Sequence, residues 1–318
     1  MATPSSTTTI LLSCHDPTKK IELLCNGCLR PITDMPYYKC ADKDNKCYFV
    51  LHEWCTRLPA KLQDYTNHKQ HTLILQTNAS NKFFSVFDCD VCELSCNGFV
   101  YTCVQCDYLI DVKCAFLPEK ITHEAHPSHL MSRVELKYPF SACRLCRNRK
   151  NRQLVFHCDT CSDEWVHAKC AMLLPREIKH KYDKHLMSIS YNPIENHKSE
   201  YFCEVCEEEF DPELCFYHCY QCAQSIHTHC APLILQSERA ATYSQFSSSG
   251  VYKFVNIKFG GTHSIKDHHH SLLFSQGIQS DGICSKCHTI LHNTMIFKCQ
   301  QCSAYAIHLD CCKDLSDI

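Results

Sequence analysis

The chain of 318 residues balances 32 basic against 34 acidic side chains, and its formal charge at pH 7 is -2. This balance disfavours bulk electrostatic binding to a nucleic-acid backbone, which requires a clearly basic face. The 29 cysteines are about 9% of the residues, a fraction typical of disulfide scaffolds or metal-rich proteins. A disulfide framework has no use for the 22 histidines, so the composition favours metal binding, with zinc as the expected cofactor.

The first twelve residues, MATPSSTTTILL, show no basic start, apolar core or cleavage signature of a secretory signal. No apolar run approaches the roughly 18 residues that a membrane-spanning helix needs. We therefore expect an intracellular protein of the cytoplasm, the nucleus or both, without a transmembrane segment. Thiols stay reduced in these compartments and are available to metals.

One cysteine pattern recurs five times along the chain. Each block opens with Cys-x2-Cys, continues with a second cysteine pair, and closes on a candidate ligand followed by x2-Cys. The blocks begin at Cys25, Cys89, Cys143, Cys203 and Cys284. Their unequal spacing predicts independent modules joined by variable linkers rather than a stacked solenoid. Each block has too little apolar material for a core of its own, so we expect metal to stabilise it.

The blocks predict five modules separated by short connections. The predicted ranges are a tail at 1–14, module 1 at 15–64, module 2 at 65–123, module 3 at 124–180, module 4 at 181–234, a Ser-rich linker at 235–250 and module 5 at 251–318. Residues 99–102, 154–156 and 295–297 are rich in β-branched and aromatic side chains and predict short hairpins. Residues 251–259 alternate apolar and polar side chains, which predicts a strand.

The first and last cysteines of each block predict an inner metal site. A Cys-x2-Cys turn can bring two sulfurs to one zinc, and tetrahedral closure needs two more ligands. Four blocks offer three cysteines and a histidine: Cys25, Cys28, His52 and Cys55; Cys143, Cys146, His167 and Cys170; Cys203, Cys206, His227 and Cys230; Cys284, Cys287, His308 and Cys311. The second block offers Cys89, Cys92, Asp111 and Cys114, in which aspartate replaces histidine.

The central cysteine pairs predict a second, outer site in each module. These pairs are Cys40/Cys47, Cys103/Cys106, Cys158/Cys161, Cys219/Cys222 and Cys299/Cys302. A histidine before each block could complete them: His15, His71, His129, His185 and His270. The sequence leaves open whether neighbouring histidines at 68, 126, 268 and 269 ligate instead. For the fourth ligand we expect a residue after the block, which is His123 for module 2 and His180 for module 3.

The order of these ligands resembles that of the C1 zinc domain. Two motifs are similar to those of the divergent C1 (DC1) cysteine- and histidine-rich proteins of plants. They are Cys89-Asp90-Val91-Cys92 and Gly98-Phe99-Val100-Tyr101-Thr102-Cys103. The resemblance implies small β-rich domains in tandem, each with short hairpins, a short helix and two interleaved zinc sites. We expect about eight to ten zinc ions in total, at two per module with some sites incomplete.

Closed four-ligand sites stabilise folding and perform no chemistry, so we expect no enzyme. The hypothesis is an intracellular adaptor that binds other proteins, and the resemblance suggests plant signalling or stress and defence responses. Diacylglycerol is a poor candidate ligand because residues 147–152 are polar and basic where C1 domains carry an apolar tip. That basic loop leaves phospholipid or nucleic-acid binding as one alternative. Thiol oxidoreductase activity is the other, because Cys-x2-Cys is also a redox spacing.

Overall fold

The computed structural model describes residues 11–14, 23–30, 32, 36–41, 49–136, 141–145, 153–161, 164–173, 176–179, 185–195, 200–204, 207–228, 256–292, 294–302 and 304–316. The chain divides into two compact units, which are described separately. The first comprises Met1–Leu117 with Asn256–Lys258, and the second comprises Pro118–Val255 with Phe259–Ile318. Within the described residues, no helix is long and apolar enough to span a membrane.

The described residues of the first unit form two antiparallel sheets and a small hairpin. The three-stranded sheet consists of β1 (Leu11–Cys14), β2 (Tyr37–Cys40) and β3 (Val50–His52). The four-stranded sheet consists of β4 (Lys61–Leu62), β5 (Leu73–Gln76), β8 (Val100–Cys103) and β9 (Leu109–Asp111), and β6 (Phe87–Asp88) pairs with β7 (Ser95–Cys96). Two short helices, α1 (Glu53–Thr56) and α2 (Val112–Ala115), follow β3 and β9, and Phe83–Ser85 forms a 3-10 turn.

In the part of the second unit that the structure describes, there are three four-stranded antiparallel sheets. They consist of β10 (Lys120–His123), β11 (His126–Leu136), β12 (Gln153–Cys158) and β13 (Trp165–His167); of β14 (Glu177–Lys179), β15 (Leu186–Ser190), β16 (Phe216–Cys219) and β17 (Gln224–His227); and of β18 (Thr262–His263), β19 (Leu272–Gln276), β20 (Met295–Cys299) and β21 (Ala306–His308). Helix α3 (Ala168–Leu173) follows β13, α4 (Leu309–Ser316) follows β21, and Gln279–Asp281 forms a 3-10 turn.

Each sheet buries a few large side chains on the strands around its central hairpin. Tyr101 and Ile110 are fully buried in the sheet of module 2, as are Phe156 and Val166 in the equivalent positions of module 3. Tyr217 fills the corresponding place in module 4. Cores of this size bury too little surface to stabilise a domain alone. The modules therefore need the additional links that their cysteines and histidines supply.

The predicted fold class of small, tandem, β-rich modules is confirmed. The predicted β-prone segments lie in β8, β12 and β20 except for Phe99, which precedes β8, and a short helix follows the last ligand strand in modules 1, 2, 3 and 5. In residues 251–259 the outcome differs from the predicted strand. Residues 256–259, the described part of this segment, form no strand. The backbone groups of Asn256 and Lys258 instead form hydrogen bonds with the backbone and side chain of Asn97. Residues 251–255 and the linker at 235–250 lie outside the described part.

The sheets begin earlier than the ranges drawn from the cysteine pattern. Strands β4, β10 and β14 lie in the predicted ranges of modules 1, 2 and 3, yet each pairs with a strand of the next module. Likewise β1 lies in the predicted tail and pairs with β2. His123, which the sequence suggested as a ligand after the block of module 2, instead ends β10, the first strand of the following sheet.

Candidate metal centres

The described residues around the first cysteine pair form the same tight turn in four of the modules. In modules 1, 2, 4 and 5 the residue after the second cysteine has a positive φ, namely Leu29, Glu93, Glu207 and His288. The amide of that residue donates to the carbonyl of the first cysteine at 2.8 to 2.9 Å. Left-handed backbone costs a non-glycine residue about 1–2 kcal/mol. The turn repeats despite that cost, because it points both sulfurs towards one point.

A strand and a helix deliver the other two inner ligands. The strands β3, β9 and β13 end on His52, Asp111 and His167, and the helix that follows carries a cysteine in its first turn. The amides of these three residues donate to the sulfur of the first cysteine of their block at 3.4 to 3.5 Å. Amide donors stabilise a thiolate more than a thiol, as a metal-binding sulfur requires.

The inner cluster of module 1 is complete and buried. Cys25, Cys28, His52 and Cys55 place one donor atom each within 4.8 Å of all the others. Zinc bonds of about 2.3 Å to sulfur and about 2.05 Å to nitrogen, at tetrahedral angles, separate the donors by about 3.6 Å for S···N and about 3.8 Å for S···S. Cys28 Sγ lies 3.3 Å from His52 Nδ1, and Cys25 Sγ lies 3.5 Å from Cys55 Sγ. The donors therefore have close to metal-binding spacing.

Module 5 has the same inner cluster in a more exposed position. Cys284, Cys287, His308 and Cys311 come together, and Cys287 Sγ lies 3.3 Å from His308 Nδ1. The hydroxyl of Thr289, 3.1 Å from Cys287 Sγ, is the main reason why the pKa of this thiol falls to about 6. A thiol with this pKa is largely thiolate at neutral pH, which is the form that binds a metal.

The inner clusters of modules 3 and 4 are described only in part. In module 3, His167 Nδ1 lies 3.7 Å from Cys170 Sγ, and the amide of the same histidine bonds Cys143. In module 4, Cys203 is buried and His227 ends β17. The remaining predicted ligands of these sites, Cys146, Cys206 and Cys230, lie outside the described residues.

In modules 2, 3 and 5 the outer cluster contains two histidines and the central cysteine pair. The structure brings together His68, His71, Cys103 and Cys106; His126, His129, Cys158 and Cys161; and His268, His270, Cys299 and Cys302. Nitrogen-to-sulfur distances in these sets are 3.4 to 3.6 Å, which again suits a shared tetrahedral ion. In modules 2 and 5 the outer and inner ligands alternate along the chain, so the two sites interleave as the resemblance implied.

Strand pairing explains which histidines reach the central cysteines. Leu73 pairs with Cys103, and Met131 pairs with Cys158. In both modules the nearer histidine lies two residues before the paired strand residue and the farther one lies five before it. Aromatic stacking orients the farther histidine in module 2, where His68 lies flat on Tyr108 at 4.4 Å. Sequence spacing left this choice open, and the structure uses both histidines.

In module 2 the residue after the block does not take the expected place in the outer cluster. In module 2, His68 stands where the sequence suggested His123. His123 instead ends β10 and packs edge-on against Tyr191 at 4.8 Å, and burial lowers its pKa. The difference arises because β10 belongs to the next sheet. The equivalent residue for module 3, His180, lies outside the described residues.

The outer sites of modules 1 and 4 are described less fully. In module 4, His185 Nδ1 lies 3.1 Å from Cys222 Sγ, and Cys219 precedes that cysteine by three residues. In module 1, Leu11 pairs with Cys40. Counting back two and five residues from Leu11 gives threonine and serine rather than histidine. His15 and Cys47 lie outside the described residues.

In module 2 the aspartate lies beside the inner cysteines as the pattern suggested. Asp111 Oδ2 lies 3.5 Å from Cys92 Sγ, and burial raises the pKa of this carboxyl. Its Oδ1 accepts hydrogen bonds from the amides of Lys113 and Cys114, so it also caps α2. The equivalent residue of module 1, His52, makes no side-chain cap.

The comparison with protein families points to the same module. The C1 domain family model matches residues 66–115. This C1 range contains both histidines of the outer cluster of module 2 and its cysteines as far as Cys114. No curated protein and no solved structure matches the chain. The C1 match and the recurring Cys/His clusters together indicate a protein built from C1-like metal-binding modules.

Proposed function

We propose that the chain is a non-enzymatic zinc protein of the cell interior, whose modules bind other proteins. The observation that carries this proposal is the completeness of the clusters. Five sets in the described residues each offer four donor atoms within 4.8 Å of one another. A zinc ion held by four protein ligands has no open position for water or substrate, so it stabilises the fold and performs no reaction.

The donor set favours zinc over other metals. Cysteine and histidine donors at tetrahedral spacing are the usual ligands of structural zinc, whereas calcium and magnesium prefer oxygen. In domains with such small cores the free energy of binding the metal is largely the free energy of folding. We expect about eight to ten ions per chain, and removal of zinc unfolds the modules.

Several features support proteins as the partners. The chain is close to neutral, which gives nucleic-acid backbones and anionic lipids little attraction. Exposed apolar side chains stand at the metal-binding turns, as with Val104 and Tyr220 between the central cysteines and Ile283 and Ile290 around the inner turn of module 5. Tandem modules can contact a partner at several points at once. The resemblance to DC1 proteins supports a role in plant signalling or stress and defence, by analogy of fold.

Proximity labelling in the native cell tests the proposal. The wild-type chain is compared with Cys284→Ser, which removes an inner ligand of module 5, and with Cys312→Ser, a buried cysteine outside that cluster. We expect wild type and Cys312→Ser to label the same proteins, and Cys284→Ser to lose those that module 5 binds. Insulin reduction by the fully zinc-loaded chain would contradict the proposal and favour the redox alternative.

A further inference from the structure

Module 2 has a fourth sulfur beside the site from which histidine is missing. Cys96 ends β7 and is 1% exposed. The hairpin of β6 and β7 pairs Phe87 with Cys96, so it folds Cys96 back over the turn that begins at Cys89. Cys96 Sγ and Cys92 Sγ lie 3.3 and 4.0 Å from the same nitrogen, Nδ2 of Asn256. Cys92 Sγ lies 3.5 Å from Oδ2 of Asp111, and Cys89 Sγ lies 3.4 Å from the amide nitrogen of that aspartate. The sulfur of Cys96 therefore lies next to the inner cysteines in the module that lacks the imidazole found in modules 1 and 5.

Asp111 is already engaged in another role. Its Oδ1 accepts the amides of Lys113 at 2.8 Å and Cys114 at 3.2 Å, the arrangement of a helix N-cap. In module 1 the equivalent His52 makes no such cap. The carboxylate Oδ2, 3.5 Å from Cys92 Sγ, is placed to accept a hydrogen bond or to reach a metal. Zinc in a cysteine-rich site binds thiolate in preference to carboxylate.

A buried amide and a buried lysine support the extra sulfur. The side chain of Asn256 is 1% exposed, and its Nδ2 donates to Cys96 Sγ at 3.3 Å and faces Cys92 Sγ at 4.0 Å. The Oδ1 of the same amide accepts a hydrogen bond from Lys113 Nζ. The lysine thus fixes which end of the amide faces the sulfurs, because Oδ1 is already bonded to the ammonium group.

The charge balance agrees with this arrangement. Zinc with four thiolates carries a net charge of about -2, and zinc with three thiolates and a neutral histidine carries about -1. Lysine is almost never buried without a partner. Lys113 is only 9% exposed and lies one residue before the ligand Cys114. Its positive charge therefore offsets the additional negative charge of a four-sulfur site.

We propose that Cys96 is the fourth ligand of the inner metal site of module 2. With Cys89, Cys92 and Cys114 it forms a four-sulfur site, and Asp111 caps α2 instead of binding the metal. This inference rests on the proposed function, in which the modules bind zinc. The competing arrangement is a neutral Cys96 thiol that donates to the carbonyl of Leu94, 3.2 Å away.

Native mass spectrometry of the full-length chain distinguishes these arrangements. The zinc count is measured at a chelator concentration that leaves the wild type fully loaded. We expect Cys96→Ser to lose one zinc ion per chain and Asp111→Asn, which retains a capping side chain, to keep the full count. Cys215→Ser is the matched control, because Cys215 is also buried with its sulfur 3.4 Å from a backbone carbonyl.

A rescue variant separates loss of a ligand from failure to fold. Adding Asp111→His to Cys96→Ser gives module 2 the three cysteines and histidine of the other modules, so the lost zinc returns. A full wild-type count that Cys96→Ser leaves unchanged would overturn the inference alone. Loss of zinc in Asp111→Asn but not in Cys96→Ser would also overturn it and would make Asp111 the ligand. A wild-type chain without zinc would overturn the proposed function and this inference together.

Discussion

Replacement of His68 by glutamine should cost module 2 its outer metal ion. His68 Nε2 lies 3.4 Å from Cys106 Sγ and shares the cluster with His71 and Cys103. Structural zinc sites bind with about 10–16 kcal/mol, so one ligand of four is worth roughly 2.5–4 kcal/mol. This corresponds to roughly a 10²- to 10³-fold loss of affinity. Because glutamine is uncharged and of similar length, the substitution removes the imidazole with little other change.

The matched control is His123→Gln, because sequence spacing alone favoured His123 as a ligand of this site. The structure places His123 against Tyr191 instead. Competition with a chromophoric chelator, followed by native mass spectrometry, measures the zinc that each variant retains. We expect His68→Gln to release one ion at a chelator concentration that leaves His123→Gln fully loaded. The reverse order would refute the assignment of two preceding histidines to the outer site.

Three further predictions concern a tyrosine hydrogen bond, the protonation of a metal-binding thiol and a close backbone approach at a glycine. Tyr101→Phe removes the hydroxyl that donates to the Pro59 carbonyl at 2.7 Å, which should lower the free energy of unfolding by about 1–2 kcal/mol. Amide hydrogen exchange in β8 should become faster, and an unchanged exchange rate would contradict the prediction. Thr289→Val removes a hydrogen-bond donor that favours the Cys287 thiolate, so the pKa of this thiol rises and protons displace zinc at a higher pH. The measurement is the pH at the midpoint of acid-induced zinc release, and an unchanged or lower midpoint pH would contradict the prediction. Gly277→Ala places a methyl group against a backbone carbonyl oxygen and should lower the free energy of unfolding of module 5 by about 1–3 kcal/mol. The measurement is the melting temperature of module 5, and an unchanged melting temperature would show that the backbone shifts without cost.

The inner sites follow largely from the sequence because their ligands are close along the chain. The turn around Cys25 and Cys28 is local, and the strand-to-helix junction sets the three-residue spacing of His52 and Cys55. The β-rich fold was predictable for a related reason. Modules with so little apolar surface depend on metal, so their cysteines mark where each module lies. The residues next to these cysteines are β-prone, which indicates strands around each metal site.

The outer sites depend on contacts that residue spacing does not reveal. His126 and His129 reach Cys158 because β11 pairs with β12 in one particular register. A useful signal was present, since the paired histidines recur just before an apolar strand. The extra sulfur at module 2 was harder to assign. Its amide partner, Asn256, lies 160 residues beyond Cys96 in the chain, and no local pattern connects the two.

The zinc content of the purified full-length chain tests the central claim most directly. Inner sites in all five modules and outer sites in modules 2, 3 and 5, where two histidines join the central cysteine pair, predict about eight ions per chain by native mass spectrometry, within the expected range of about eight to ten. Chelator or acid should remove these ions and unfold the modules together with their loss. A loaded chain that carries only two or three ions, or one that keeps its fold after all zinc is removed, would contradict an array of double metal sites.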